Sequence, residues 1–129
     1  MRNAMPVVEQ PHSPRAMKKI RLFVPESFNN GELVAAEVFH ALENMVTDAF
    51  GGCTLHANLL GTWANEAGIR YRDPIRLVEV EAEDSPALQP ALMAIIQFIC
   101  DRWQQEAVFL TIADVSVLSV QRRELLPLA

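Results

Sequence analysis

The chain has two cysteines, one tyrosine and three histidines among 129 residues, and its five glycines include four confined to residues 51–68. Cys53 and Cys100 form neither a zinc-ligand spacing nor a CxxC redox pair, so structural zinc, a disulfide scaffold and dithiol chemistry are excluded as organising principles. They read as small apolar residues of a reducing cytosol. No apolar run approaches the ~18 residues of a membrane span. The longest, "LMAIIQFIC" at 92–100, is too short and contains Gln97. The N-terminus lacks the apolar stretch of a signal peptide. There is no GxGxxG and no Walker pattern, so phosphate cradling by a glycine loop is not indicated. A cytoplasmic protein without membrane segment, metal or cofactor is expected.

Positive charge is also scarce where it would matter. The net charge is −5, but Arg2, Arg15, Lys18 and Lys19 cluster at the start; from residue 20 to 120 five arginines face fourteen acids, leaving that body near −9. An acidic body repels phosphate backbones, which argues against nucleic acid as a partner.

What is present is alternation of two periods. Residues 1–17 hold three prolines and no sustained period, and are expected to be a disordered tail; a translation start at Met17 would remove it and leave the fold intact. "KKIRLFVP" alternates, with Ile20, Leu22 and Val24 on one face and Arg21 and Phe23 on the other, a strand stopped by Pro25. After the loop "ESFNNG", the stretch from Glu32 to Phe50 has a helical stripe of Val34/Ala35, Val38, Leu42, Met45 and Ala49, opposite Glu37, His40, Asn44 and Thr47. Gly51 and Gly52 end it.

"CTLHANLL" alternates again, Cys53, Leu55, Ala57 and Leu59 against Thr54, His56 and Asn58, and turn chemistry at "NEAG" returns it as "IRYRDPIRLVEVEA". In that return strand the apolar parity changes between Tyr71 and Val78, which predicts a bulge or bend at Asp73–Pro74. "DSP" predicts a side-chain cap from Asp84 or Ser85 for a second helix, with regular turns from about residue 87 because Pro90 sits deep. That helix is apolar on most sides, so a surplus of apolar surface is expected to seek a partner. "EAVFLTIADVSVLSV" closes the domain as a strand, with a possible break at Ala113–Asp114.

The order β-α-β-β-α-β predicts a ferredoxin-like α+β domain over residues 18–120, an antiparallel four-stranded sheet with two helices on one face, followed by a C-terminal tail at 121–129. With these residues placed, the chain resembles a group of small uncharacterised bacterial proteins. The likeness lies in Phe50-Gly51-Gly52-Cys53-Thr54, Gly61-Thr62-Trp63 and Gln105-Glu106-Ala107-Val108, and spans about residues 18–112. It implies a shared α+β fold and transfers no catalytic residue.

Parity then nominates sites. The sheet face away from the helices should carry Arg21, Phe23, Thr54, His56, Asn58, Leu77, Glu79, Glu81, Phe109 and Thr111. Phe23 and Phe109 should touch, and a half-apolar open face is suited to pairing with another copy, giving a homodimer. Trp63, Tyr71, Arg70 and Arg72 ride on a protruding hairpin expected to grip a partner subunit. Arg21, His56 and Asn58 form the only candidate catalytic group: a carboxylate holder, a general base and an orienting amide for a cofactor-independent enzyme or ligand sensor. Glu37, His40 and Glu43, at helical spacing, read as a solvated face and not as a metal site. The expected role is a small binding or assembly protein; the other readings are that enzyme or sensor, and an acidic protein that binds a basic partner.

Overall fold

The computed structural model describes residues 14–122, and the elements run β1 (Arg15–Pro25), α1 (Ala36–Phe50), β2 (Thr54–Ala64), β3 (Arg70–Ala82), α2 (Leu88–Trp103) and β4 (Phe109–Val117). The sheet is antiparallel with order β2-β3-β1-β4, the ferredoxin-like arrangement. Ile20, Leu22 and Val24 of β1 and Val78, Val80 and Ala82 of β3 are buried under the helices, as the alternation requires. Leu42 and Val46 of α1 and Ile95 and Ile99 of α2 close the core from above. Each such side chain contributes roughly 1.5–3 kcal/mol before entropy is subtracted.

The boundary at residue 18 moves. Arg15, Ala16 and Met17 pair with Val117, Ser116 and Val115, so a chain started at Met17 would lose two rungs of this ladder. Residues 1–13 and 123–129 lie outside the described residues. The break at Ala113–Asp114 does not occur: Lys18 stands opposite Asp114 and pairs with it, and β4 runs through to Val117.

Helix α1 starts four residues later than the sequence suggests. Asn30 Oδ1 accepts the Glu32 N–H at 3.0 Å, Gly31 takes a left-handed φ of 88°, and Ser27 bridges Leu33, so a local turn wins over the first helical residues. The buried stripe is also rotated from the expected one: Phe39, Leu42 and Val46 face inward, while Val38 and Met45 are only partly covered and Ala49 is exposed. Phe39 selects this face. Its ring packs edge-on to Trp103, with centroids 5.2 Å apart, and beneath the Arg76 guanidinium at 4.0 Å. Gly51 ends the helix with φ 88° and its N–H donates to Thr47 O at 2.7 Å.

The predicted cap of α2 is also replaced. Its N-cap is Ala87 with no side-chain bond, while the Leu88 N–H donates to the Ser85 carbonyl at 3.0 Å. Pro90 falls in the first turn, where no intrahelical N–H is needed. The expected apolar surplus is mostly absorbed: Ile96 and Phe98 pack against the core edge, and Met93 alone of the group is exposed. Trp103 is fully buried and donates its indole N–H to Pro25 O at 2.8 Å, tying the end of α2 to the end of β1.

The bulge is real but sits in the other strand. β3 pairs with β1 without interruption, whereas β2 shifts register between His56 and Leu59, with Asn58 at φ 61°. An asparagine accepts the left-handed region at little cost, and two residues there oppose one. Parity changes inside β2, so Leu59 leaves the helix side that Leu55 occupies and joins Ile75 on the open face. The odd-numbered apolar residues of β3, Tyr71, Ile75 and Leu77, all belong to that open face and required no bend.

Candidate binding surface

The registers place side chains across the open face in rows. His56, Leu77, Phe23 and Phe109 form one row through all four strands. The Phe23 and Phe109 rings meet at 5.2 Å with an interplanar angle of 52°, the contact that parity anticipated. Thr54, Glu79, Arg21 and Thr111 form the next row. At its centre the Glu79 side chain is only 14% exposed; Arg21 Nε donates to it at 2.7 Å, and Lys19 Nζ and His56 Nε2 each lie 3.8 Å away. The Arg21 hydrogen bond holds the Glu79 carboxyl below its ordinary range; burial pushes the other way, and the charges of Lys19, Arg21 and His56 add to the lowering.

This geometry rearranges the candidate catalytic group. Arg21 and His56 are brought together, but through Glu79, so Arg21 is committed to an internal carboxylate. Asn58 is withdrawn into the bulge and out of the alternation that was to place it beside them. The cations of this face are likewise neutralised: Arg15 pairs with Glu83, Lys19 with Glu79 and Glu81, and Arg21 with Glu79. A face whose bases are internally paired offers phosphate little attraction.

Toward the hairpin the apolar row continues. β1 ends opposite Ile75, and beyond it five pairs from Leu60↔Pro74 to Ala64↔Arg70 extend as an arm with no third strand. Asn65 closes the tip: its side chain accepts the Ile69 N–H at 3.0 Å, and Gly68 takes φ 82°. Trp63 and Tyr71 stand opposite one another on the open-face side of the arm, while Arg70 and Arg72 lie on its reverse. The Trp63 ring folds back over Gly61, where any Cβ would meet ring carbon at 2.0 Å. The ring thereby walls a cleft of about 240 Å³ against Phe23, Pro25, Ile75 and Phe109, with Asp73 at its side. Asp73 and Ile75 were missed in the sequence because the presumed bend removed them from the face. Correct parity through β3 is the signal that would have found them.

A second cavity of about 600 Å³ opens at the far end of the sheet, between Phe50–Thr54 and the start of α2, with Glu79, Glu81 and Glu83 on its wall. Among the described residues no group of three or more His, Cys, Asp or Glu is placed to hold a metal ion, and Glu37 and His40 are exposed on α1. Cys53 and Cys100 are free and half-buried. No helix among the described residues is long and apolar enough to cross a membrane.

Fold and face together define a small ferredoxin-like α+β protein. No protein-family model matches the chain, and no curated protein does. Solved structures match by shape. A phage SAM lyase in complex with S-methyl-5'-thioadenosine superposes with a TM-score of 0.56 at 11% identity, covering 80% of this chain and 90% of that one. CPII, a nitrogen regulatory PII-like protein from Thiomonas intermedia K12 bound to ADP, AMP and bicarbonate, gives 0.53 at 9% identity, covering 84% and 99%. The divalent cation tolerance protein CutA1 from Thermus thermophilus gives 0.54 at 12%, covering 84% and 91%. At these identities the likeness is one of fold.

Proposed function

We propose that this chain is a small cytoplasmic self-associating binding protein, and that copies join through the open sheet face and the β2–β3 arm. The observation that carries this reading is the apolar row of Phe109, Phe23, Leu77 and Leu59, taken up again beyond the Gly61–Asp73 pair by Trp63 and Tyr71. Phe109 is 60% exposed, Tyr71 49% and Trp63 40% in the single chain. Four strands ~4.8 Å apart and about nine residues long, at ~3.3 Å per residue, span roughly 600 Å². The arm brings the face close to the ~800 Å² per partner of a standard interface.

Sedimentation velocity over a range of concentrations tests it. A mass that is a multiple of 14.4 kDa is expected. Trp63→Ala should weaken association at least ~tenfold, a usual loss for a buried interface tryptophan, with an unchanged circular dichroism spectrum. Unchanged sedimentation of that variant would count against the assignment.

A second reading, small-ligand binding, rests on the 600 Å³ cavity, a volume in the range that encloses drug-sized molecules. Two neighbours are named with adenosine compounds. Glu79, Glu81 and Glu83 on its wall are paired with Arg15, Lys19 and Arg21, so these cations are already engaged and the wall favours an uncharged nucleoside over a nucleotide. Thermal denaturation with S-methyl-5'-thioadenosine and, separately, ADP should show a shift of a few degrees for the first and less for the second; no shift with either removes the reading.

A further inference from the structure

We infer that the two faces of the arm are the two halves of one head-to-tail contact: Arg72 of one copy enters the aromatic cleft of the next and pairs there with Asp73. This rests on the self-association reading and names its contact.

The argument begins with unpaired charge. Every lysine and arginine of β1 has a carboxylate partner, as does Arg76 of β3. Arg70 and Arg72, on the reverse of the arm, have none among the described residues, and neither has Asp73, although Glu79 and Glu81 on the same face of β3 are paired. A protein that pairs its sheet charges this thoroughly leaves Arg70, Arg72 and Asp73 open on the strands of the arm, with Glu66 at its tip.

The cleft beside Asp73 has the chemistry of a guanidinium site. Aromatic faces attract a weakly hydrated planar cation, and a carboxylate at the edge fixes its orientation by charge-assisted hydrogen bonds. The chain already builds this combination once. Arg76 lies 4.0 Å over the Phe39 ring while its Nε donates to Glu26 at 2.8 Å. Trp63, Phe23, Phe109 and Asp73 line the cleft, so aromatic residues and an acid stand together there as well. About 240 Å³ admits the end of an arginine side chain.

Arg72 cannot fill the cleft of its own chain. It neighbours Asp73 in an extended strand, so the two side chains project to opposite faces. In this reading the cation comes from another copy. Because donor and acceptor lie on opposite sides of one arm, the contact closes into a ring or continues as a filament.

The test is reciprocal charge reversal in the full chain, read by sedimentation equilibrium with circular dichroism as the folding control. Arg72→Asp and Asp73→Arg should each weaken association at least ~tenfold, as lost charge pairs at interfaces do, and the double variant should associate more tightly than either single variant but less tightly than the wild type, since an aspartate restores the ion pair and not the contact with the rings. Both positions are exposed, so the folded spectrum should persist. Single variants that associate like an assembled wild type overturn the contact and leave the sheet-face reading standing. Weakened singles without recovery in the double variant also overturn it. A wild type that stays monomeric overturns both readings.

Discussion

Glu79 is the residue on which the polar centre of the open face turns. Arg21, Lys19 and His56 converge on it from β1 and β2, and its carboxyl is held below its ordinary range, chiefly by the Arg21 hydrogen bond. A carboxyl depressed in the folded state binds protons more readily when unfolded. Its contribution to stability is therefore present above the unfolded value, near 4.5, and is lost as pH falls through the lower folded value. Glu79→Gln should lower stability at pH 7 by up to ~1 kcal/mol, the scale of a partly exposed ion pair. The gap between variant and wild type should close as urea titrations move from pH 5 toward pH 2.5; a gap that widens with acid contradicts the arrangement. Trp63 and Gly61 work at the same scale. The glycine exists where the ring lies, and that packing turns a bare hairpin wall into one side of a cleft.

Among the elements, the arm is separable from the fold. Its five outer pairs lie beyond the end of β1, and none of its residues from Leu60 to Pro74 belongs to the buried core. Removing Gly61–Ala64 together with Arg70–Asp73 deletes four directly paired residues from each strand and preserves the alternation. The shortened chain should fold with a melting temperature within a few degrees of the full chain measured as monomer, and should fail to associate in sedimentation velocity. A shortened chain that still assembles would move the contact to the four-stranded part of the face. Helix α2 is the opposite case. Its last residue, Trp103, fills the core, packs against Phe39 and Phe98, and satisfies the Pro25 carbonyl. It belongs to stability, not to assembly.

At the scale of the whole molecule, protection from water is graded across the sheet. β1 is central, flanked by β3 and β4 and covered by helices, with Ile20, Leu22 and Val24 almost fully buried; β2 is exposed along nearly its whole length. Hydrogen exchange at concentrations low enough to keep copies apart should find the Ile20–Val24 amides slowest and those of Thr62–Ala64 and Arg70–Arg72 exchanging orders of magnitude faster. Uniform protection across both segments would contradict an unsupported arm. Assembly should then slow the arm amides selectively, which separates a contact made there from one made by the helices.

Local chemistry alone determined much of this protein. Period two in "KKIRLFVP" and the glycine pair after Phe50 depend on neighbours in the chain, and they placed the Ile20, Leu22 and Val24 face of β1 and the end of α1 correctly. The tertiary structure decided the rest. Which strand absorbs the extra residue, at Asn58 and not at Pro74, follows from hydrogen-bond registers between distant segments. Which face of α1 is buried follows from Trp103 and Arg76 reaching Phe39. Arg21 looks like a ligand holder in the sequence and is a partner of Glu79 in the fold; Asp73 looks like a bend and stands unpaired beside a cleft. Periodicity reports what a residue's own strand or helix does, whereas pairing, burial and charge compensation are set by contacts between segments far apart in the chain.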